Sequence, residues 1–312
     1  MIFDGKNTES LKSFRKLKVD YDIQIIGAGI AGISLSYFLL KKKSNLKILL
    51  LERGGFINKP DAVKQNNFIK FAKLKIKKDS RIFGVGGTSL NWGNIVSYFT
   101  EDEMNKKWPL STIQLNNYSL KAADLLDIKF PKKDKRLGLN ERKFLYPKNP
   151  INFNKYLDTS KVDVMYNSQV ISFNEKNNKT YSFIKTYNGS LKIQSSKLIL
   201  CAGTLENVKL IKDSYKLGKL VKVNIKVLGK FFMNHPKFLL GEIDKVKNNL
   251  NIKKYLLKKN KGLFSYIGIS LPKKIKNKKK LLNSYVRFKP KFEYILEKKI
   301  KSSDNFLKRT YY

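Results

Sequence analysis

Two glycine-rich stretches in the first third of the chain have the residue types and spacing to hold a phosphorylated ligand. The first is Gly27-Ala28-Gly29-Ile30-Ala31-Gly32. In this pattern Gly27 permits a tight turn, Gly29 lets the backbone approach a pyrophosphate, and Gly32 allows a helix to lie close on the preceding strand. The unpaired N–H groups at the start of that helix bind phosphate. Glu52 lies twenty positions beyond Gly32, where a carboxylate accepts a hydrogen bond from a ribose hydroxyl. The second stretch is Gly84-Val85-Gly86-Gly87-Thr88-Ser89-Leu90-Asn91-Trp92-Gly93-Asn94. Its glycines permit close backbone approach to a ligand, and its hydroxyl and amide side chains supply hydrogen bonds.

The elements that must position these residues can be read around them. Tyr21-Asp22-Ile23-Gln24-Ile25-Ile26 is a mostly apolar run, as in a buried parallel strand. Ile33 to Lys43 has apolar residues at helical spacing and ends in three lysines, which suit the negative end of a helix dipole. Leu46 to Leu51 is a second strand, ending at Glu52. Strand, glycine turn, helix, strand and acid together specify a dinucleotide site. Residues 23–40 carry no charge and are about long enough to span a bilayer. Three glycines and Gln24 interrupt them, however, and Asp20 and Asp22 precede them. The first residues lack the charged start of a secretory signal, and there is no twin-arginine pair. A soluble cytoplasmic protein with no transmembrane segment is expected.

The remaining composition excludes several kinds of chemistry. A single cysteine, Cys201, excludes an internal disulfide framework and fits a reducing compartment. A single histidine, His235, with no CxxC or HExxH spacing, predicts no metal site. The net charge of +41 could serve nucleic acid, acidic lipid or acidic glycan. Yet lysine far outnumbers arginine, asparagine and isoleucine are abundant, and alanine is scarce. A/T-rich codons produce that bias, although the shortage of acids is left unexplained. Lysines run densely at 73–78, 273–280 and 298–301 without a recognised nucleic-acid motif, so no specific nucleic-acid partner is expected.

Further along, Ser111 is a plausible cap for an amphipathic helix through Leu126, and residues 129–150 read as a connecting loop. Strands follow at 162–166, 169–173 and 181–187. Asn188-Gly189 forms a hairpin turn into 191–194, and a buried strand runs over 197–201. Ala202-Gly203-Thr204 opens a helix through Ile211, and 263–270 and 284–288 read as strands. An antiparallel meander therefore interrupts a parallel sheet, which the chain then rejoins. The predicted fold is α/β: a Rossmann-like parallel sheet with an inserted antiparallel β-meander, plus an incomplete α+β domain. The expected division is 1–128 with 151–240 for the first domain, and 241–312 for the second.

Four segments resemble the glucose–methanol–choline (GMC) family of FAD-dependent oxidoreductases. They are YDIQIIGAGIAGISLSYFLL with the following LLLERG, RIFGVGGTSLNWGN, WPLSTIQLNNYSLKAADLL, and the stretch from LILCAGTLENVKLI to LGKFFMNHP. Their order and approximate spacing also match, over about residues 20–240. The resemblance implies a bound FAD and a domain that binds it. The ADP half would lie on Gly27, Gly29 and Gly32, with Glu52 on the ribose and Arg53 nearby. Val170 would offer backbone groups to the adenine. Gly86, Gly87, Thr88 and Ser89 would run past the pyrophosphate, and Asn91, Trp92, Gly93 and Asn94 would approach the isoalloxazine. Ala202 and Gly203 would pass close to the cofactor. Asn91 stands where some members carry a histidine that bonds covalently to flavin, so non-covalent FAD is implied. Trp92 by itself reads as packing.

The implied reaction is hydride removal from the CH–OH group of an alcohol or sugar-type donor, with a base taking the hydroxyl proton. Family members draw that base, a histidine, from a C-terminal motif. No histidine follows His235, which matches the earlier His-Pro motif and reads as a structural residue. The catalytic residues are therefore unassigned. Either the chain is part of a split or longer product, or alcohol oxidation has been lost and a flavin-binding or interaction protein is left. Oxygen, a quinone or a protein carrier are all compatible as electron acceptor.

Overall fold

The computed structural model describes residues 1–17, 19–56, 82–90, 92–93, 95–97, 109–128, 138, 140–147, 151–219, 223–233, 238–243, 252–260, 263–281 and 283–290. In chain order the elements begin with β1 (Ile2–Asp4), α1 (Thr8–Lys16), β2 (Tyr21–Ile26), α2 (Ile30–Lys42) and β3 (Ile48–Leu51). Next come α3 (Thr112–Leu125), β4 (Glu141–Pro147), β5 (Val162–Tyr166), β6 (Gln169–Lys176), β7 (Lys179–Thr186) and β8 (Gly189–Leu200). The last are α4 (Thr204–Lys216), β9 (Lys258–Asn260), β10 (Leu263–Ser270), α5 (Lys273–Lys278) and β11 (Tyr285–Val286). The chain forms two compact units, Met1–Trp92 with Asn152–Pro236, and Gly93–Ile151 with Lys237–Tyr312.

The first unit is built on a seven-stranded sheet in the order β1-β5-β3-β2-β8-β7-β6. β3 is buried along its whole length, as its unbroken Ile-Leu-Leu-Leu run requires of a central parallel strand. α2 buries Gly32, Ile33, Ser36 and Leu40, one face of a 3.6-residue repeat. α1 contributes Leu11 and Phe14 to a cluster with Phe3, Tyr21, Leu49, Leu51 and Met165. Each such side chain contributes roughly 1.5–3 kcal/mol when fully buried. The predicted α/β architecture is present, with the meander β6-β7-β8 joined to the parallel strands. One detail differs. The segments 191–194 and 197–201, read as two strands with the second buried, fall on the single twelve-residue β8, which ends at Leu200 and is not buried from Lys197 onward. Its first half pairs antiparallel with β7 and its second half parallel with β2, and Ser195 is paired with both Thr180 and Tyr21.

Gln24 sits at this join, fully buried in an otherwise apolar strand. Its Nε2 donates to the Ile193 carbonyl at 3.1 Å and to Ser195 Oγ at 3.0 Å, and its Oε1 accepts from Ser182 Oγ. A buried amide is tolerable because every polar atom is paired, and the pairing ties β2 to the two inner strands of the meander. β1 and α1, which the sequence left unassigned, precede this core. α1 is capped by Asn7, whose side chain accepts from the Ser10 N–H at 3.0 Å.

The second unit contains α3, where Ser111 and Gln114 form a capping box, and a sheet in which β10 pairs antiparallel with β4, β9 and β11. Two expectations change here. Part of the supposed 129–150 connecting loop is strand β4, in register with β10 from Glu141↔Ile269 to Pro147↔Leu263. Residues 93–128, expected in the first domain, group with the second unit. No helix among the described residues is long and apolar enough to cross a membrane.

Candidate functional site

The first glycine turn leaves β2 at Gly27, whose φ is +104°. A β-carbon there would sit 2.6 Å from the Cys201 carbonyl oxygen, so two features exclude any other residue: the backbone conformation and the strand end lying against it. A Cβ on Gly32 would collide with the Gly27 carbonyl, so helix and turn pack without a gap. Gly29 is different. Its Cβ would meet only the Gly87 Cα, at 3.9 Å, and it serves as the N-cap of α2 with no capping side chain. The first amides of α2 are thus available to an anion.

The second glycine loop lies on the first. The Gly86 N–H donates to the Ala28 carbonyl at 2.8 Å. Gly87 has φ +52°, and a Cβ on it would stand 2.8 Å from the Gly29 Cα. Residues Gly87–Leu90 form a 3-10 turn. Ser89 is buried, its hydroxyl donating to the Gly86 carbonyl at 2.7 Å and accepting from the Phe153 N–H at 3.1 Å. Trp92 packs edge-on against Phe153, ring centroids 5.9 Å apart.

Glu52 follows β3 and is buried. Its two carboxylate oxygens accept from the Ala28 N–H at 2.9 Å and the Gly54 N–H at 2.8 Å. Burial nevertheless pushes its carboxyl up to about 7, because the backbone donors only partly offset the loss of water. The Arg53 guanidinium stacks over Phe83 at 4.4 Å and comes within 3.8 Å of Glu206 in the first turn of α4. α4 also starts at a glycine, Gly203 (φ +83°), with no capping side chain and open space where a Cβ would be. Asn207 fixes the approach to it, accepting from the Ala202 N–H at 3.0 Å.

These parts surround a cavity of about 990 Å³, at the upper end of the range for small-molecule sites. Of the residues singled out from the sequence, Gly27, Gly29, Glu52, Arg53, Gly87, Thr88, Val170, Ala202 and Gly203 line it. Gly32, Gly86, Ser89, Trp92 and Gly93 are not among its described lining residues, and the first three shape it from behind. Asn91, Asn94 and His235 lie outside the described residues. Sequence reasoning missed Lys209, Asp213 and Lys216, which α4 brings to the same wall. Their spacing, with Lys209 and Asp213 paired across one turn at 2.6 Å, was the available signal once α4 was known to continue past Ile211. Among the described residues no group of His, Cys, Asp and Glu could hold a metal ion.

No family model and no curated protein matches the chain. Among solved structures, it is similar to a pyridoxine 4-oxidase from Mesorbium loti, with 16% identity over 62% of this chain and 52% of that one, TM-score 0.40. It is also similar to a fungal aryl-alcohol oxidase, with 12% identity over 64% and 48% of the two chains, TM-score 0.44. A third is an FAD-dependent oxidoreductase from Chaetomium thermophilum, with 14% identity over 65% and 50%, TM-score 0.47. The chain spans about half the length of these structures. Its own geometry defines the class of fold: a Rossmann-like α/β sheet carrying a β-meander.

Proposed function

We propose that the first unit binds FAD non-covalently in this cleft, and that the chain serves a flavin-dependent oxidoreductase acting on CH–OH groups of an alcohol or sugar-type donor. The observation that carries the reading is the contact of Gly87 on Gly29 beside the buried Glu52, within one cleft. Two independent glycine turns have little reason to be in backbone contact unless both serve the same extended ligand. The residues fit a dinucleotide. Gly29 and Gly203 leave room for a backbone-hugging diphosphate, and α2 and α4 both present uncapped first turns. Glu52 lines the same cleft, its carboxylate held by the backbone amides of Gly54, Ala28, Gly84 and Arg53.

In this reading Glu52 orients the ribose, and Arg53, held by Phe83 and Glu206, covers the adenosine side beside Val170. Thr88 contributes a hydroxyl near the diphosphate, while Ser89, committed to Gly86 and Phe153, keeps the second loop in shape. Bound FAD would supply the hydride acceptor. The substrate base is left unassigned.

The test is direct. The protein is reconstituted with FAD, freed of excess cofactor and examined by visible spectroscopy. A stoichiometric flavin spectrum is expected, and absence of retained flavin overturns the proposal. Anaerobic addition of alcohols and sugars then addresses turnover. Bleaching supports CH–OH oxidation by this chain, and a flavin that stays oxidised throughout favours a non-catalytic flavin-binding protein.

A further inference from the structure

Phe153–Tyr156, ahead of β5, form a 3-10 turn capped by Asn152, whose side chain accepts from the Asn154 N–H at 2.9 Å. This turn meets the second glycine loop at three places. The Phe153 N–H donates to Ser89 Oγ at 3.1 Å, and Asn154 Nδ2 donates to the Val85 carbonyl at 3.0 Å. The side chains of Asn154 and Asn152 also lie against Gly86, where a β-carbon would stand 2.7 Å and 3.0 Å from their Oδ1 atoms. The same turn reaches α2, because Tyr156 packs edge-on against Tyr37 with ring centroids 5.5 Å apart.

The bond to Val85 acts on one peptide group. The Val85 carbonyl and the Gly86 N–H share a single rigid plane. Asn154 holds the oxygen of that plane, and the Ala28 carbonyl accepts from its N–H at 2.8 Å. Both sides of the peptide are therefore fixed. Gly86 and Gly87 follow, with φ of +102° and +52°, and Gly87 and Thr88 line the cleft. Glycines have too much conformational freedom to hold a direction by themselves, so the peptide before them must set it.

Asn154 does this at the expense of an unpaired atom. Its Oδ1 is buried and, among the described residues, has no hydrogen-bond partner. The amide cannot simply be turned over, because Oδ1 would then face the Val85 carbonyl oxygen. A buried acceptor without a donor is unfavourable, and a leucine of similar shape would carry no such atom. Packing alone does not account for an asparagine here, whereas the donor bond to the loop does.

We propose, resting on FAD as the occupant of the cleft, that Asn154 is a positioning residue: by holding the Val85–Gly86 peptide it aims Gly87 and Thr88 at the diphosphate. It acts through the loop, since it is not among the described residues that line the cleft.

The test compares the full wild-type chain with Asn154→Leu and Asn154→Ala, and with Gln24→Leu as a structural control. Fluorescence titration reads FAD affinity, thermal melts of the apo-protein read stability, and the ³¹P signals of bound FAD at saturation read the setting of the diphosphate. Asn154→Leu should weaken FAD binding roughly five- to tenfold, move the ³¹P signals, and melt close to wild type. Gln24→Leu should do the reverse, melting lower with affinity and ³¹P signals kept. Asn154→Ala loses the same bond to Val85 and decides the matter if Asn154→Leu does not fold. Affinity equal to wild type, or unmoved ³¹P signals, in a folded Asn154 variant overturns the positioning role alone. A wild type that retains no FAD overturns the flavin reading and the positioning role with it.

Discussion

Gly87 rests on Gly29: a β-carbon added to Gly87 would stand 2.8 Å from the Gly29 Cα, while the neighbouring Gly86 N–H donates to the Ala28 carbonyl at 2.8 Å. The two loops therefore hold each other in place. The two glycines stand in different surroundings. Gly87 is confined by protein on one side and by a positive φ, whereas Gly29 has open space before it.

That asymmetry separates binding from folding. Gly29→Ala should weaken FAD binding at least tenfold, about 1.4 kcal/mol. It should leave the thermal midpoint nearly unchanged, since its φ of −85° suits any residue. Gly87→Ala should lower both, because the left-handed backbone alone costs roughly 1–2 kcal/mol with a β-carbon. Fluorescence titration of FAD and a thermal melt report the two quantities. Undiminished FAD affinity in Gly29→Ala would sink the proposed site.

Glu52 makes the apo-protein's stability depend on pH in an unusual direction for a carboxylate. Its folded value is raised from 4.5 to about 7, so between those values the folded state holds more protons than the unfolded one. Its contribution is present in full below pH 4.5 and is lost as pH rises through 7, amounting to about 3 kcal/mol. Comparing urea midpoints of wild type and Glu52→Gln at pH 5 and pH 8 isolates the effect. The wild type should lose ground relative to the variant at pH 8. A constant difference across that range contradicts the assignment. Ribose hydroxyls donating to Glu52 would favour its charged form, so FAD binding should release protons near neutrality and tighten as pH rises.

Gln24 should behave as a structural clasp. Gln24→Leu strands the Ser182 hydroxyl and takes a donor from the Ile193 carbonyl in a buried setting, while Ser195 keeps its bonds to Thr180 and Lys197. An unsatisfied buried group costs about 1–3 kcal/mol. Urea denaturation should show a loss in that range, with flavin affinity kept at temperatures where the variant is folded. A variant as stable as wild type would show that the network is dispensable.

The parts of the fold legible in the sequence are those whose signals are local. Gly27, Gly29 and Gly32 between two apolar runs specified β2, α2 and β3. Alternation and the hairpin turn at Asn188-Gly189, where Gly189 has a positive φ, specified the meander. The parts missed depend on distant partners. Residues 141–147 form a strand because β10 supplies hydrogen bonds and because Phe144 and Tyr146 stack on Tyr266 and Phe264. Locally they sit in a stretch rich in lysine, asparagine and proline. β1 is three residues long and exists through pairing with β5. At the cleft, the glycines and Glu52 were readable as a motif. Lys209 and Lys216 became visible only when the length and facing of α4 were known.

The shared strand β8 also fixes the order in which the cleft can come into being. β2 must wait for a partner well over a hundred residues further on, as the Gln24–Ile193 separation of 169 positions shows. Until then one side of β2 is an open edge, apolar and ready to pair with another chain. The Cys201–Gly203 wall of the cleft follows directly from β8, so it is in place only after that strand has docked. Loop closure over such a span is slow compared with local hairpin formation. During synthesis the meander can fold on its own neighbours first and then deliver the wall to the waiting glycine turn. A chain interrupted before Leu200 would carry both glycine loops and still have no closed site.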